Sequence, residues 1–547
     1  MSVADKGVVA AGHPLTAAAG ARVLREGGNA VDAAVGAMLT SFAAEQLLTG
    51  LGAGGYMLVA GGGEQPALLD FFVEAPTERA SLGAEGAAGD GPPAAARGPA
   101  GPGDGIGHTP AVGSREHPPP AELQAVDVSF GDAAQVFHIG PASCGVYGTP
   151  AGVCEALGRW GSVPLQELAA PAAELARDGV RLNAGQAYIA KILADLLSST
   201  PECAALWAPQ GHVLKEGELL RNPELGDALI RLGRDGAEPF YRGDIAVAVC
   251  DWLRARGAAL SSENLAGYRA LERAPVSVRY RDREVLTNPP PSAGGTLLAY
   301  ALALLDRGPA PPTLSGVVEA MAAAQSERTP EFVEGLGEDG FLERFLATRL
   351  GARSPAEPGD RGHLGATTHI SVLDARGRAC SVTCSNGEGS GVVVPGTGIH
   401  LNNVMGEQDL NPLGFHRHPA GRRMPSMMAP SVVLRGEEVE LVLGSAGSNR
   451  IRSALLQTIV GVVDHGLGAR AAVEGPRVHF EDGTLYTEPG IDLSELAWPG
   501  MPAGARGQAV EFGALNLFFG GVQAVLRRDG AIDGAGDPRR GGVAVRA

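Results

Sequence analysis

The stretch Gly365-Ala366-Thr367-Thr368-His369-Ile370-Ser371-Val372-Leu373-Asp374 combines a nucleophile with a place to expose it. A threonine hydroxyl is a weak nucleophile near neutral pH and needs a base within hydrogen-bond reach. Cutting the chain just before the threonine supplies one. The freed α-amino group has a pKa of roughly 7.7–8.0, close to working pH. Thr367 stands between a small-residue turn, Gly362 to Ala366, and an alternating segment, which suits such a cut. By itself a Thr-Thr-His at a strand start is only a strand start, so the assignment depends on the elements around it.

Those elements are legible from period and punctuation. Thr368 to Leu373 and Ala379 to Cys384 alternate with period two around Asp374-Ala375-Arg376-Gly377, a hairpin signature that puts Thr367, His369 and Ser371 on one face. Thr16 to Glu26 reads as a helix closed by Gly27-Gly28, and Asn29 caps a second helix from Ala30 to about Ala44. Gly50 to Gly55 formally satisfies GxGxxG, but a dinucleotide loop follows a strand and opens a helix. Here the order is helix, loop, strand (Tyr56 to Ala60), so the loop reads as a close-packed turn. From Leu157 to about Leu305 the pattern is mostly helical, as in Leu165 to Asp178 and Asn222 to Gly233, with a short strand at Glu284 to Thr287. Glu440 to Gly444 reads as a strand and Ser448 to His465 as a helix, with Ile451, Leu455, Ile459 and Val462 at helical spacing. Strands flanked by helices at both ends of the chain predict a layered α/β sandwich. Residues 78 to about 122, rich in Gly, Ala and Pro, read as a surface insertion.

The chain has 547 residues, more than one typical core, with 44% hydrophobic residues and a formal charge of −17. That charge argues against nucleic-acid partners and against anionic membrane surfaces. No run of about 18 apolar residues is present, so no transmembrane helix is expected. The first residues lack the basic and apolar regions of a signal peptide, which leaves a cytoplasmic protein as the expectation. Six cysteines without a CxxC pair are expected to be reduced and buried, with Cys380 and Cys384 on one strand face. His416 and His418 lie in a Pro-bounded loop without a carboxylate or cysteine set and read as solvated, so no metal and no cofactor are expected. Asp32 reads as a capping or packing carboxylate.

Six segments, in order over most of the chain, resemble the γ-glutamyltransferase (γ-glutamyltranspeptidase) family of N-terminal nucleophile hydrolases. They are Glu26 to Ala34, Gly50 to Leu58, Ala366 to Asp374, Gly389 to Asn403, Ser426 to Pro430 and Leu443 to Ile451. The resemblance implies a four-layer αββα sandwich. It also implies a precursor cut at Ala366–Thr367 into a large subunit, 1–366, and a small catalytic subunit, 367–547, that stay associated. Thr367 would attack a small-molecule γ-glutamyl or related acyl amide, and water or an amine would release the acyl group. Gly447 and Ser448 match the pair whose N–H groups hold the oxyanion. They also precede a predicted helix, where unpaired N–H groups favour negative charge. Ser448 would fit equally well as a cap of that helix. Ser385 aligns with a threonine that hydrogen-bonds the nucleophile, and Asn386 with a substrate-contacting asparagine, in a segment two residues shorter than usual.

Departures from the family concern the acyl pocket. Phe72, in Asp70-Phe71-Phe72-Val73-Glu74, stands where the family has a carboxylate-binding arginine, and an aromatic ring offers a carboxylate no salt bridge. Glu407 takes the place of the ammonium-binding aspartate. The paired serines become Ser426-Met427. Arg417, Arg422 or Arg423 could restore the carboxylate contact; equally, the donor could be a non-glutamyl amide, as for cephalosporin or glutaryl acylases. A catalytically silent binding protein of the same fold is the third reading.

Overall fold

A computed structural model describes residues 6–77, 121–129, 134–351, 367–494, 496–501 and 507–547. Two sheets dominate. Their strands, in chain order, are β1 (Gly7–Ala11), β2 (Gly54–Gly61), β3 (Glu64–Phe71), β4 (Leu271–Arg273), β5 (Val276–Tyr280), β6 (Arg283–Thr287), β7 (Thr367–Asp374), β8 (Arg378–Ser385), β9 (Ser431–Arg435), β10 (Glu438–Ala446), β11 (Gly521–Arg528), β12 (Ala531–Gly536) and β13 (Val543–Arg546). The first sheet runs β13-β1-β7-β8-β2-β3-β4 and the second β12-β11-β10-β9-β6-β5. Each ladder within them is antiparallel.

Helices close the outer faces: α1 (Pro14–Arg25), α2 (Ala30–Ala44), α3 (Leu165–Asp178), α4 (Pro223–Asp235), α5 (Ala293–Asp306), α6 (Leu314–Ser326) and α7 (Arg450–Val463). α2 is buried along its whole length because Ala, Val and Met all round give it no polar face. It packs α1 and α3 on one side and β7 and β8 on the other, while α5 and α7 cover the second sheet. Alternation decides which core each strand residue joins. Val9, Met57, Ile370, Val372, Cys380 and Val382 point to the α1–α2 layer. Val8, Tyr56, Leu58, Leu441, Leu443 and Ala524 fill the space between the sheets and beyond. The result is the layered α/β sandwich that the period changes predict, in the αββα order that the family resemblance implies.

Asn29 forms a capping box with Asp32, whose carboxylate also accepts from the Ser162 and Val163 N–H groups at 2.7 and 3.0 Å, so Asp32 is a packing carboxylate. All six cysteines are free thiols, and all but Cys154 are buried. The mostly helical reading of 157–305 misses β4 and β5. The β5 sequence Val-Ser-Val-Arg-Tyr alternates cleanly, buried then exposed, as an edge strand should. A hairpin of Gln124–Ser129 with Ala134–Ile139 also went unforeseen. The predicted insertion (78 to about 122) lies almost wholly outside the described residues. Among the described residues no helix is long and apolar enough to cross a membrane.

Candidate active site

Thr367 opens β7 and Ser385 closes β8, directly opposite each other in the ladder. The buried Thr367 hydroxyl donates to Ser385 Oγ at 3.1 Å, and the same oxygen accepts the Gly387 N–H at 3.0 Å. Among the described residues no histidine or carboxylate contacts the Thr367 hydroxyl.

The predicted common face of Thr367, His369 and Ser371 is observed, and it points between the sheets. His369 Nδ1 lies 2.7 Å from Thr383 Oγ1 and Nε2 lies 2.9 Å from Ser371 Oγ, whose own proton goes to the Gln523 carbonyl at 3.0 Å. With its proton committed, the Ser371 oxygen must accept from His369, so Nε2 carries the hydrogen and Nδ1 accepts from Thr383. Burial holds the imidazole neutral, its pKa pushed down to about 3. His369 is therefore a structural link, with no lone pair to spare for base chemistry. On the other face Thr368 donates to Glu45 at 2.7 Å, and Thr16 donates to the second Glu45 oxygen at 2.6 Å. Burial pushes the Glu45 carboxyl up in pKa.

Register across the sandwich places the remaining parts. The His369 ring packs on Gly444, where a Cβ would come within 2.2 Å of it, and Ser381 donates to the Leu443 carbonyl at 2.9 Å. Stepping from Ser371 to His369 along β7 thus follows β10 toward its C-terminal end. Beyond Gly444, β10 ends at Ala446 and the chain turns through Gly447 and Ser448 into α7. Gly447 has φ +120° and Ser448 φ +49°, and their backbone N–H groups meet no acceptor among the described residues. The Ser448 hydroxyl donates to Asp409 instead of capping α7, which starts at Arg450 without a side-chain cap. Of the two uses open to Ser448 in sequence, side-chain capping is therefore not realised.

The loop after Ser385 forms the floor. Asn386 is buried; its Nδ2 donates to the His400 carbonyl at 3.3 Å, and its Oδ1 has no hydrogen-bond partner among the described residues. Asn403 clamps the loop by accepting the Glu388 N–H at 2.9 Å and donating to the Glu388 carboxylate at 3.1 Å. Gly387 has φ +66°, and a Cβ there would stand 2.4 Å from Glu407 Oε1. Glycine thus lets the Glu407 carboxylate approach within two residues of Ser385. Burial, then the nearby Glu388 and Asp409 carboxylates, push the Glu407 pKa well up. A cation beside Glu407 would relieve that repulsion.

Two expected substrate contacts fall elsewhere. Phe72 is 1% exposed and stacks on Tyr56 with centroids 5.4 Å apart, so it belongs to the inter-sheet core. The buried Ser426 hydroxyl accepts the Met428 N–H at 3.0 Å, and its carbonyl accepts from Ser292 and Gly294, a turn-holding role. The three candidate replacement arginines are also placed. Arg423 is bound to Asp70 and Glu74 and stacks over Tyr268, so its fork is occupied. Arg417 and Arg422 are exposed and line a cleft of about 730 Å³, shared with Glu338 and Phe341, that Thr367 does not line. Glu388, Asp409, Arg450 and Arg540 surround the site without having been picked out. Asp409, two residues past Glu407, carried the nearest sequence signal.

A buried threonine at a strand start, between facing antiparallel sheets with helices outside, defines the class of N-terminal nucleophile hydrolases. The gamma-glutamyltranspeptidase family model matches residues 16–84 and 109–547, and the chain belongs to that family. The chain is 29% identical over 574 residues to a glutathione hydrolase proenzyme of Escherichia coli, covering 98% of this chain and 91% of that one. It is likewise 29% identical to an acylase ACY 1 proenzyme of Pseudomonas sp., over 99% of this chain and 93% of the relative. The crystal structure of a cephalosporin acylase from Bacillus halodurans superposes with a TM-score of 0.76 at 24% identity, covering 99% of this chain and 96% of that one.

Proposed function

We propose that the chain cuts itself at Ala366–Thr367 and that the resulting small subunit, 367–547, is an amidase or acyltransferase acting through its N-terminal threonine. The large subunit, 1–366, stays bound, since β1, β2 and β3 share a sheet with β7 and β8. The freed α-amine of Thr367 accepts the hydroxyl proton as Oγ1 attacks the amide carbonyl. The oxyanion that forms is taken by the Gly447 and Ser448 N–H groups, each worth about 2.7–4 kcal/mol in the transition state. The ammonium returns its proton to the leaving amine. An acyl ester on Thr367 remains, which water or an acceptor amine resolves. Ser385 orients the hydroxyl throughout.

One observation carries this reading. The Thr367 hydroxyl is hydrogen-bonded to Ser385, and among the described residues neither histidine nor carboxylate hydrogen-bonds it, which supports the Thr367 amine as the base. Amides with an α-ammonium group at the acyl end, γ-glutamyl compounds among them, suit the acceptor oxygens of Glu407 and Asn386. The Arg423 fork, already filled by Asp70 and Glu74, leaves an α-carboxylate no partner there and favours, as a second reading, a donor without the α-amino acid, such as a glutaryl amide. The test is a panel of glutathione, γ-glutamyl anilide and glutaryl and adipyl amides given to the self-cut protein, with trapping of the acyl-enzyme and its mass. Turnover of none of them by a chain that remains uncut would leave a silent binding protein.

A further inference from the structure

Arg540 follows Arg539 in the segment Asp537-Pro538-Arg539-Arg540, and the two guanidiniums have different fates. Arg539 is tied to Glu488 and Asp537. Arg540 makes no ion pair among the described residues. Among the described residues its one hydrogen bond goes to the Leu517 carbonyl at 3.5 Å, and its Nε meets no partner there. Its stem crosses Gly521, where a Cβ would come within 2.4 Å of Arg540 Cδ, and Nη2 ends 3.6 Å from where a Cβ of Gly447 would stand. The absence of a side chain at Gly521 therefore lets a cation reach the turn that carries the proposed oxyanion donors.

A second guanidinium approaches from behind. Arg450 is 1% exposed; among the described residues its Nε and Nη2 have no hydrogen-bond partner, and the carboxylate it pairs with, Glu481, is 3.8 Å away. Burial and the Arg450 charge bring the Arg540 pKa down to about 10, which leaves it cationic at neutral pH. Glu481 beside Arg450 and Asp537 near Arg540 offset part of this charge but leave those donors unfilled, and a carboxylate matches the guanidinium fork.

We propose that Arg540, backed by Arg450, binds the free carboxylate at the far end of the acyl donor while Gly447 and Ser448 hold its carbonyl oxygen. Arg540 thereby supplies the cation that Phe72 cannot. The assignment rests on the reading given under Proposed function. It predicts a donor that is a half-amide of a dicarboxylic acid, with or without an α-amino group.

The experiment uses self-cut protein and its Arg540→Met and Arg540→Lys variants, with glutaryl, γ-glutamyl and valeryl p-nitroanilides as donors and calorimetric titration with glutarate. The valeryl donor lacks the carboxylate. In Arg540→Met the glutaryl-to-valeryl ratio of kcat/KM should fall about 10–100-fold, the size expected for a lost charge-assisted hydrogen bond, and glutarate binding should vanish. Arg540→Lys should fall between, keeping charge and losing the fork. An equal loss on all donors, or none, overturns the proposal. So does a loss confined to transfer onto a carboxylate-bearing acceptor such as glycylglycine, which would assign the site to the acceptor. If the wild-type protein stays uncut and cleaves no anilide, the functional reading fails. Glutarate titration then decides alone: binding that Arg540→Met abolishes supports the carboxylate site, and no binding overturns it.

Discussion

Thr367 Oγ1 and Ser385 Oγ face each other at 3.1 Å from paired ends of two antiparallel strands. The ladder fixes both backbones, so the hydroxyl direction is set by sheet geometry instead of by a mobile loop. That is the kind of rigid placement an attacking oxygen needs. Ser385→Ala should therefore lower kcat about 10–100-fold with a smaller effect on KM, and Ser385→Thr should restore most of it. Steady-state kinetics on the three proteins check this. An unchanged kcat in Ser385→Ala would remove the orienting role.

A second expectation concerns the base. With His369 held neutral down to about pH 3, it cannot produce an inflection near neutrality. The kcat/KM profile should rise through one group near pH 7–8, the range of an α-amine. His369→Gln should retain that inflection, even if it lowers stability. Its disappearance in this variant would make His369 the titrating base.

The same imidazole has a stability signature of defined sign. The folded pKa values of His369 and His400 are depressed to about 3 and about 4, from an ordinary 6.5. Below 6.5 the unfolded chain binds protons that the folded protein refuses. Their contribution is complete above pH 6.5 and is lost as pH falls toward 4, at about 1.4 kcal/mol per pH unit for each histidine. Denaturant unfolding at pH 7, 6 and 5 should show the decline, shallower in His369→Gln. An equal slope in both proteins would contradict it.

Glu45 tests the other side of β7. It receives hydroxyl protons from Thr16 and Thr368 in a buried site and so joins α1 to the strand that carries the nucleophile. Glu45→Ala should destabilise by about 2–5 kcal/mol through a cavity and two orphaned hydroxyls, and Glu45→Gln by much less. Chemical denaturation measures both, and similar values for the two would refute the hydrogen-bond argument.

Phe72 lies outside the open site, and this changes what its replacement does. An arginine at a 1%-exposed position stacked on Tyr56 would place a charge in the inter-sheet core. Phe72→Arg should thus reduce the yield of folded protein, whereas Phe72→Leu should fold and keep its donor preference. Expression and thermal unfolding give the answer. A well-folded Phe72→Arg enzyme with improved γ-glutamyl turnover would return Phe72 to the pocket wall.

The sequence pattern revealed the hairpin that carries Thr367 and Ser385, and α2, because period two and an Asn29 cap are local signals. Gly447 and Ser448 came from the family resemblance, with the strand, small-residue turn and helix that follow one another there in agreement. Other parts stayed hidden because they depend on contacts between distant segments. Arg423 reads as one more surface charge until Asp70, some 350 residues earlier, is seen beside it at 3.1 Å. Phe72 in Asp-Phe-Phe-Val gives no hint of which phenylalanine turns inward to Tyr56. Arg540 cannot be told from Arg539 until Glu488 and Asp537 claim the latter.

The most direct measurement is the N-terminal sequence and mass of the fragments from freshly folded protein. The 55.8 kDa chain should separate into two, the smaller beginning Thr-Thr-His-Ile-Ser, while Thr367→Ala remains whole and inactive. Amide turnover by a chain in which Ala366 and Thr367 are still joined would contradict the account.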